Sequence, residues 1–243
     1  MPVFMVTFIK GLKIMHQPIL PPYCSIYLVR HGETDNNRND IIQGAKVDMI
    51  LNKTGEQQAK EAAKRLKTVP FATAFSSDLV RAKQTAEIIS LEHNLAVTTA
   101  KAIRERGFGD YEGRSVNQFR EDLKDLLAEF ETLSDEAKFN FDFPYGIENL
   151  NQAVTRLITF LREISVAYLG KTVLVVSHGA LIRHFLIRIG FATFQQLQWV
   201  PGISLPIANL GHAVIDSDGI DFFVKDTYGI NKQAWKLVLS PRF

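Results

Sequence analysis

"IYLVRHGETDNN" (Ile26–Asn37) is the stretch that decides the fold. Four residues suited to the interior of a sheet run straight into Arg30, His31, Gly32 and Glu33, so a buried strand ends in a cation, an imidazole, a glycine and a carboxylate. In open α/β sheets, ligands bind just beyond the carboxyl ends of the strands. The polar cluster stands where such a sheet presents its chemistry, and other strands of the chain end in the same way.

Outward from that point the chain alternates. Strands read at Ser25–Val29, Phe71–Ser77, Leu95–Ala100 and Thr172–Ser177, the last being the most hydrophobic. Helices read over Thr54–Lys67, about Leu79–Ser90, Asn149–Tyr168 and Gly179–Ile189, with charged helical material from Ser115 to about Phe130. The first has Ala59, Ala62, Ala63 and Leu66 on one face, and Thr54 and Gln57 have the spacing of a capping box. The third carries the stripe Leu150, Ala153, Val154, Leu157, Leu161 and Ile164. The tail from Ile207 to Val224 reads as a hairpin or edge strands turning at "DSDG". Strand and helix alternating over this length predict an α/β fold, a three-layer α/β/α sandwich around a mainly parallel central sheet.

After Ser25 the sequence has no repeat, low-complexity tract or linker, so residues 25–243 read as a single domain. Residues 1–24 read as an extension, or as a start placed upstream of the true one, for example Met15. Their apolar run, Val3–Ile9, is interrupted by Lys10 too early to span a membrane, which takes about 20 apolar residues. No cleavage signal follows it, and Pro18, Pro21 and Pro22 make a linker into the first strand.

With 28 Lys and Arg against 26 Asp and Glu, the net charge of +2 is too balanced for a nucleic-acid binder. Any anion site is therefore local. The single cysteine, Cys24, makes no internal disulfide and supplies no zinc cluster, which suits a reducing, cytoplasmic setting. The expected partner is a small phosphorylated metabolite, with no nucleic acid and no membrane, and the oligomeric state stays open.

The residues past the strand ends specify chemistry. Arg30 and His31 follow the first strand, Arg81 lies beyond the second, Glu105 near the third, and His178 follows the fourth. Arginine presents a planar fork of donors that matches phosphate oxygens and cannot be deprotonated. A neutral imidazole beside it attacks phosphorus, splitting one difficult displacement into two. A second histidine donates to oxygens that gain charge in the transition state. A carboxylic acid beside a phosphate dianion is favoured in its protonated form and supplies the leaving alcohol with a proton. Taken singly, the arginines read as ion pairs with Glu33, Asp78 or Glu105; their joint position past strand ends reads as a site.

With "VRHGETDNN", "IIQG", "LNKTGEQQA", "FSSDLVRAKQTA", "RERGFGDYEG", "PYGIENL" and "VVSHG" in this order, the chain resembles the histidine phosphatase superfamily, the phosphoglycerate mutase-like family, from Ser25 to about Leu210. The resemblance implies that His31 is phosphorylated, that Arg30, Arg81 and His178 bind the phosphoryl group, and that Glu105 is the proton donor. It aligns Asn37, Gln43 and Gly44 with the loop that closes over the phosphate. It implies no cofactor and no metal, in keeping with the absence of a histidine pair at the i, i+4 spacing.

Within the superfamily the chain is similar to short phosphatases of the broad-specificity and TIGAR type, which include enzymes acting on fructose 2,6-bisphosphate. The alternative is a cofactor-dependent phosphoglycerate mutase, and after it a non-catalytic phospho-ligand or protein-binding module. Asn36 stands where mutases often have tryptophan, which favours hydrolysis. Asn149 replaces a family serine or threonine but caps a helix equally well. "FNFDFPY" (Phe139–Tyr145) reads as core packing rather than a lid, His16, His93, His184 and His212 as structural or exposed residues, and Trp199 and Trp235 as packing rather than recognition residues. Zinc deaminase, serine-elbow, P-loop and dinucleotide signatures are missing or misspaced.

Overall fold

The computed structural model describes residues 23–198 and 206–232, together with a short antiparallel ladder of β1 (Phe8–Ile9) and β2 (Leu12–Lys13). His16, Trp199, Trp235 and the proline linker lie outside the described residues.

One six-stranded sheet organises the rest. Its strands are β3 (Cys24–Arg30), β4 (Phe71–Ser77), β5 (Val97–Ala100), β6 (Thr172–Ser177), β7 (Ile207–Ser217) and β8 (Phe222–Ile230), in the order β5-β4-β6-β3-β7-β8. β3 to β6 are mutually parallel, while β7 runs antiparallel to both β3 and β8. The helices are α1 (Asp35–Arg38), α2 (Lys53–Leu66), α3 (Val80–Leu91), α4 (Val116–Asp122), α5 (Lys124–Thr132), α6 (Asp135–Phe139), α7 (Leu150–Ala167) and α8 (Gly179–Arg188).

The alternation of side chains along a strand explains the layers. Ile26 and Leu28 of β3 and Val173 and Val175 of β6 pack with α7 and α8, whereas Val29, Leu174 and Val176 pack with Ala62, Ala63, Ala82, Ala86 and Ile89 of α2 and α3. Both faces of the middle strands are thus buried, as their unbroken apolar runs require, and each such side chain contributes about 1.5–3 kcal/mol. A third, smaller cluster of Ile42, Tyr111, Leu123 and Ile147 underlies the loops beside the sheet's carboxyl edge.

Several local expectations shift. The N-cap of α2 is Asn52, whose Oδ1 accepts from Gly55 N at 2.8 Å, so the helix starts before the Thr54 and Gln57 pair. Asn52 prevails because its amide also donates to Glu33 Oε1 at 2.9 Å, tying the helix start to the loop after β3. The Ser115–Phe130 segment breaks at Leu123, a buried residue with φ −107° and ψ 20°, into α4 and α5. Asn149 caps α7 as expected, accepting from Asn151 N and Gln152 N. Phe139 is buried and Phe141 packs on Phe130, in line with core packing, while Phe143 also faces a cavity.

Candidate active site

Register builds the site. β3 and β6 pair in parallel with Arg30 opposite Ser177, so His31 and His178 emerge side by side. His31 N donates to Ser177 O at 3.0 Å, and the two imidazole centroids lie 5.1 Å apart. Both rings are buried, and both ring nitrogens of His178 lack a protein partner.

The ring of His31 has a defined tautomer. Its Nδ1 lies 2.7 Å from Gly32 O, and a carbonyl only accepts, so the proton of the neutral ring resides on Nδ1. The lone pair on Nε2 then faces Arg81, whose Nε donates to it at 3.3 Å. Arg81 enters from the first turn of α3, and its remaining donors hold Gly44 O at 2.9 Å and Val47 O at 3.1 Å. Arg30 is fixed by donation from Nη1 to Ile207 O at 2.6 Å.

Glu105 meets the N-terminus of α8. Its Oε1 accepts from Arg106 N and Leu181 N, both at 2.9 Å, and its Oε2 from Ala180 N at 3.1 Å. Gly44 has φ +60°, and a Cβ there would run into the Glu112 carboxyl group. That carboxylate accepts from the backbone N–H groups of Ala45, Lys46 and Val47, holding the loop over the site. Asn37 spends its side chain on Thr34 in the capping box of α1.

Arg30, His31, Asn37, Gln43, Gly44, Arg81 and Glu105 line one cavity of about 560 Å³, and the buried His178 ring stands edge to face with His31 beside it. The ordinary ion-pair reading of the arginines gives way to other partners: Asp78 is held bidentately by Arg104 at 2.7 Å, and Glu33 lies 3.4 Å from Arg38. Sequence reasoning missed Arg106, Arg183 and the aromatic wall of Phe108, Phe119, Phe130 and Phe143. His184, read as structural or exposed, is buried with Nε2 2.9 Å from Arg183 Nη1, and it also lines the cavity. Arg106 was visible in "RERG" as a second cation beside Glu105; His184 had no distinguishing signal.

Burial, then the charges of Arg81 and Arg30, push His31 well below the ordinary histidine pKa, against the opposing bond to Gly32 O. Burial followed by Arg81 and His31 does the same to His178. Both rings are held neutral, the form in which one is a nucleophile. Burial also lowers Arg30, Arg106 and Arg183 to about 10. All three stay cationic at neutral pH. Among the described residues, no three His, Cys, Asp or Glu side chains converge as metal ligands, and no helix is long and apolar enough to cross a membrane.

Two buried arginines, paired neutral imidazoles and a carboxylate at the carboxyl edge of a parallel sheet define a phosphate-handling α/β enzyme. The histidine phosphatase superfamily (branch 1) model matches residues 26–221, and the chain belongs to that superfamily. It is 35% identical over 165 residues to the uncharacterized phosphatase PhoE of Bacillus subtilis, covering 68% of this chain and 77% of that protein. It is 40% identical over 146 residues to fructose-2,6-bisphosphatase TIGAR B of Danio rerio, covering 58% of this chain and 52% of that one. Among solved structures, Bacillus stearothermophilus YhfR superposes with a TM-score of 0.71 at 26% identity, over 85% of this chain and 97% of its own. The chain is a phosphoric monoester hydrolase.

Proposed function

We propose that this protein hydrolyses small phosphomonoesters, sugar phosphates first among them, through a phosphohistidine at His31 and without a metal ion. The observation that carries the reading is the orientation of His31: Nδ1 rests on Gly32 O, and the Nε2 lone pair meets Arg81 on the cavity wall.

In the first step, Nε2 attacks phosphorus in line and forms the N–P bond as the ester P–O bond breaks. The departing oxygen keeps the electron pair and takes the proton of Glu105, while Arg30, Arg81 and His178 hold the equatorial oxygens. In the second, Glu105 takes a proton from water, the water oxygen bonds to phosphorus, and the N–P bond breaks. Nε2 regains its lone pair and inorganic phosphate leaves. Gln43, Gly44 and Asn37 close the leaving-group side.

The likeness to a fructose-2,6-bisphosphatase supports placing that sugar bisphosphate first among candidates. The test is phosphate release in EDTA by wild type and His31→Ala against p-nitrophenyl phosphate, fructose 2,6-bisphosphate, 3-phosphoglycerate and phosphopeptides. Turnover in EDTA that vanishes in the variant is the expected result. Turnover that needs added metal, or that survives His31→Ala, would overturn it. Interconversion of phosphoglycerates with 2,3-bisphosphoglycerate, without phosphate release, would instead mark a mutase.

A further inference from the structure

We infer that Asn209 and Thr85 are positioning residues that grip the His31–Gly32 peptide from its two sides and so decide which imidazole nitrogen His31 presents to phosphorus. The inference rests on the phosphohistidine reading given above.

The carbonyl oxygen and the N–H of one peptide unit point to opposite sides of the chain. Here each has its own side-chain partner. Asn209 Nδ2 donates to His31 O at 3.0 Å, and Gly32 N donates to Thr85 Oγ1 at 3.0 Å. The direction of the second bond is fixed, because the Thr85 hydroxyl gives its one proton to Arg81 O at 2.8 Å and has only lone pairs left for Gly32. With the plane of this peptide held, the following unit is held in turn: Glu33 N donates to Gln58 Oε1 at 3.0 Å, and Gly32 O is left 2.7 Å from His31 Nδ1.

That last contact is what places the lone pair on Nε2. Release of the 31–32 peptide would free the dihedrals at Gly32, so that Gly32 O could swing away from the ring and the proton redistribute to Nε2. A ring protonated there has no lone pair for phosphorus. The two gripping residues arrive from opposite sides of the chain's topology. Thr85 sits on α3 one turn after Arg81, so the same helix supplies a phosphate ligand and one half of the grip. Asn209 comes from an irregularity in β7, where the pairing with β8 shifts between Ile207 and His212 and Leu210 takes φ 56°. Bulges of this kind re-aim a side chain. Gly211 permits this one: a Cβ there would lie 2.8 Å from Ala208 O and 2.9 Å from Gly229 O.

The experiment compares wild type, Asn209→Ala, Thr85→Val and Thr85→Ser. Thr85→Val keeps the shape and removes the hydroxyl; Thr85→Ser keeps the hydroxyl. Three quantities are read with p-nitrophenyl phosphate as substrate: kcat against KM, the inhibition constant of inorganic phosphate, and the tautomer of His31 from the 15N shifts of Nδ1 and Nε2. Asn209→Ala and Thr85→Val should each lower kcat about 10–100-fold, the size of loss known for the outer partners of metal-bound histidines. KM and phosphate inhibition should move by less than about threefold, since the anion ligands are untouched. Wild type should show a lone pair on Nε2, the two variants a mixture, and Thr85→Ser should recover both kcat and tautomer. The two ideas fail separately. Turnover surviving His31→Ala overturns the phosphohistidine reading, whereas an unchanged tautomer balance in Asn209→Ala and Thr85→Val overturns the grip, even where kcat falls.

Discussion

Glu105 is oriented by three backbone N–H donors, yet Oε2 accepts only one of them and keeps its other direction for the proton that it would deliver to an ester oxygen. Glu105→Gln preserves the shape and removes the proton that the proposed acid donates. Its kcat should fall about 10²–10⁴-fold on alkyl phosphates and much less on p-nitrophenyl phosphate, whose leaving group needs no acid. Equal losses on both would end the acid role. His31 sets the other limb of the pH profile. Because burial and two arginines depress its pKa in the free enzyme, the ring stays neutral well below the ordinary value. The acid fall of kcat/KM should therefore begin below about pH 6.5 rather than at it; a limb centred on the ordinary histidine value would contradict this. These residues were legible because each follows a strand, His31 directly after β3 and Glu105 five positions after β5, and each has a distinctive side chain. Asn209 was not: it lies inside a strand, and only the irregular pairing of β7 with β8 turns it to account.

At the scale of elements, α2 and the loop after β3 form one unit. A Cβ on Gly32 would sit 2.7 Å from Gly55 O, and a Cβ on Gly55 would run into Glu33 O. Helix propensity alone says that Gly55→Ala stabilises α2 by about 1 kcal/mol. The contact says the opposite, because the methyl group has only backbone to displace. Gly55→Ala should lower unfolding free energy by about 1–3 kcal/mol in urea titration and reduce kcat together with it. A stabilised, fully active variant would show that the loop yields. The elements themselves were readable from periodicity, since β3, β6 and α7 each bury a consistent apolar set. The start of α2 was not, because Asn52 gains its advantage from Glu33, a partner distant in sequence. The break at Leu123 escaped for a similar reason, its burial being set by the cluster of Ile42, Tyr111 and Ile147.

At the scale of the molecule, the neutral imidazoles form an acid-sensitive store. His31, His178 and His184 all lie well below the ordinary pKa, each chiefly through burial. Their folded values are depressed, so below the unfolded value the unfolded chain binds more protons. Stability is then full above about pH 6.5 and declines as pH falls, by up to about 1.4 kcal/mol per pH unit for each ring. Urea midpoints at pH values of about 7.5, 6.5 and 5.5 measure this slope, and His184→Gln should make it shallower. An unaltered slope would place the acid sensitivity elsewhere. The strand order has a different consequence, one that concerns synthesis. β3 is made early, but its neighbours in the sheet are β6 and β7, which lie in the last third of the chain. On a ribosome adding about 5–20 residues per second, the strand that leads into His31 waits on the order of ten seconds with both edges unpaired. Nascent chains halted before Thr172 would lack the neighbour that sets His31 beside His178, so activity should appear abruptly on completion, and the interval before it is when a holding chaperone matters most.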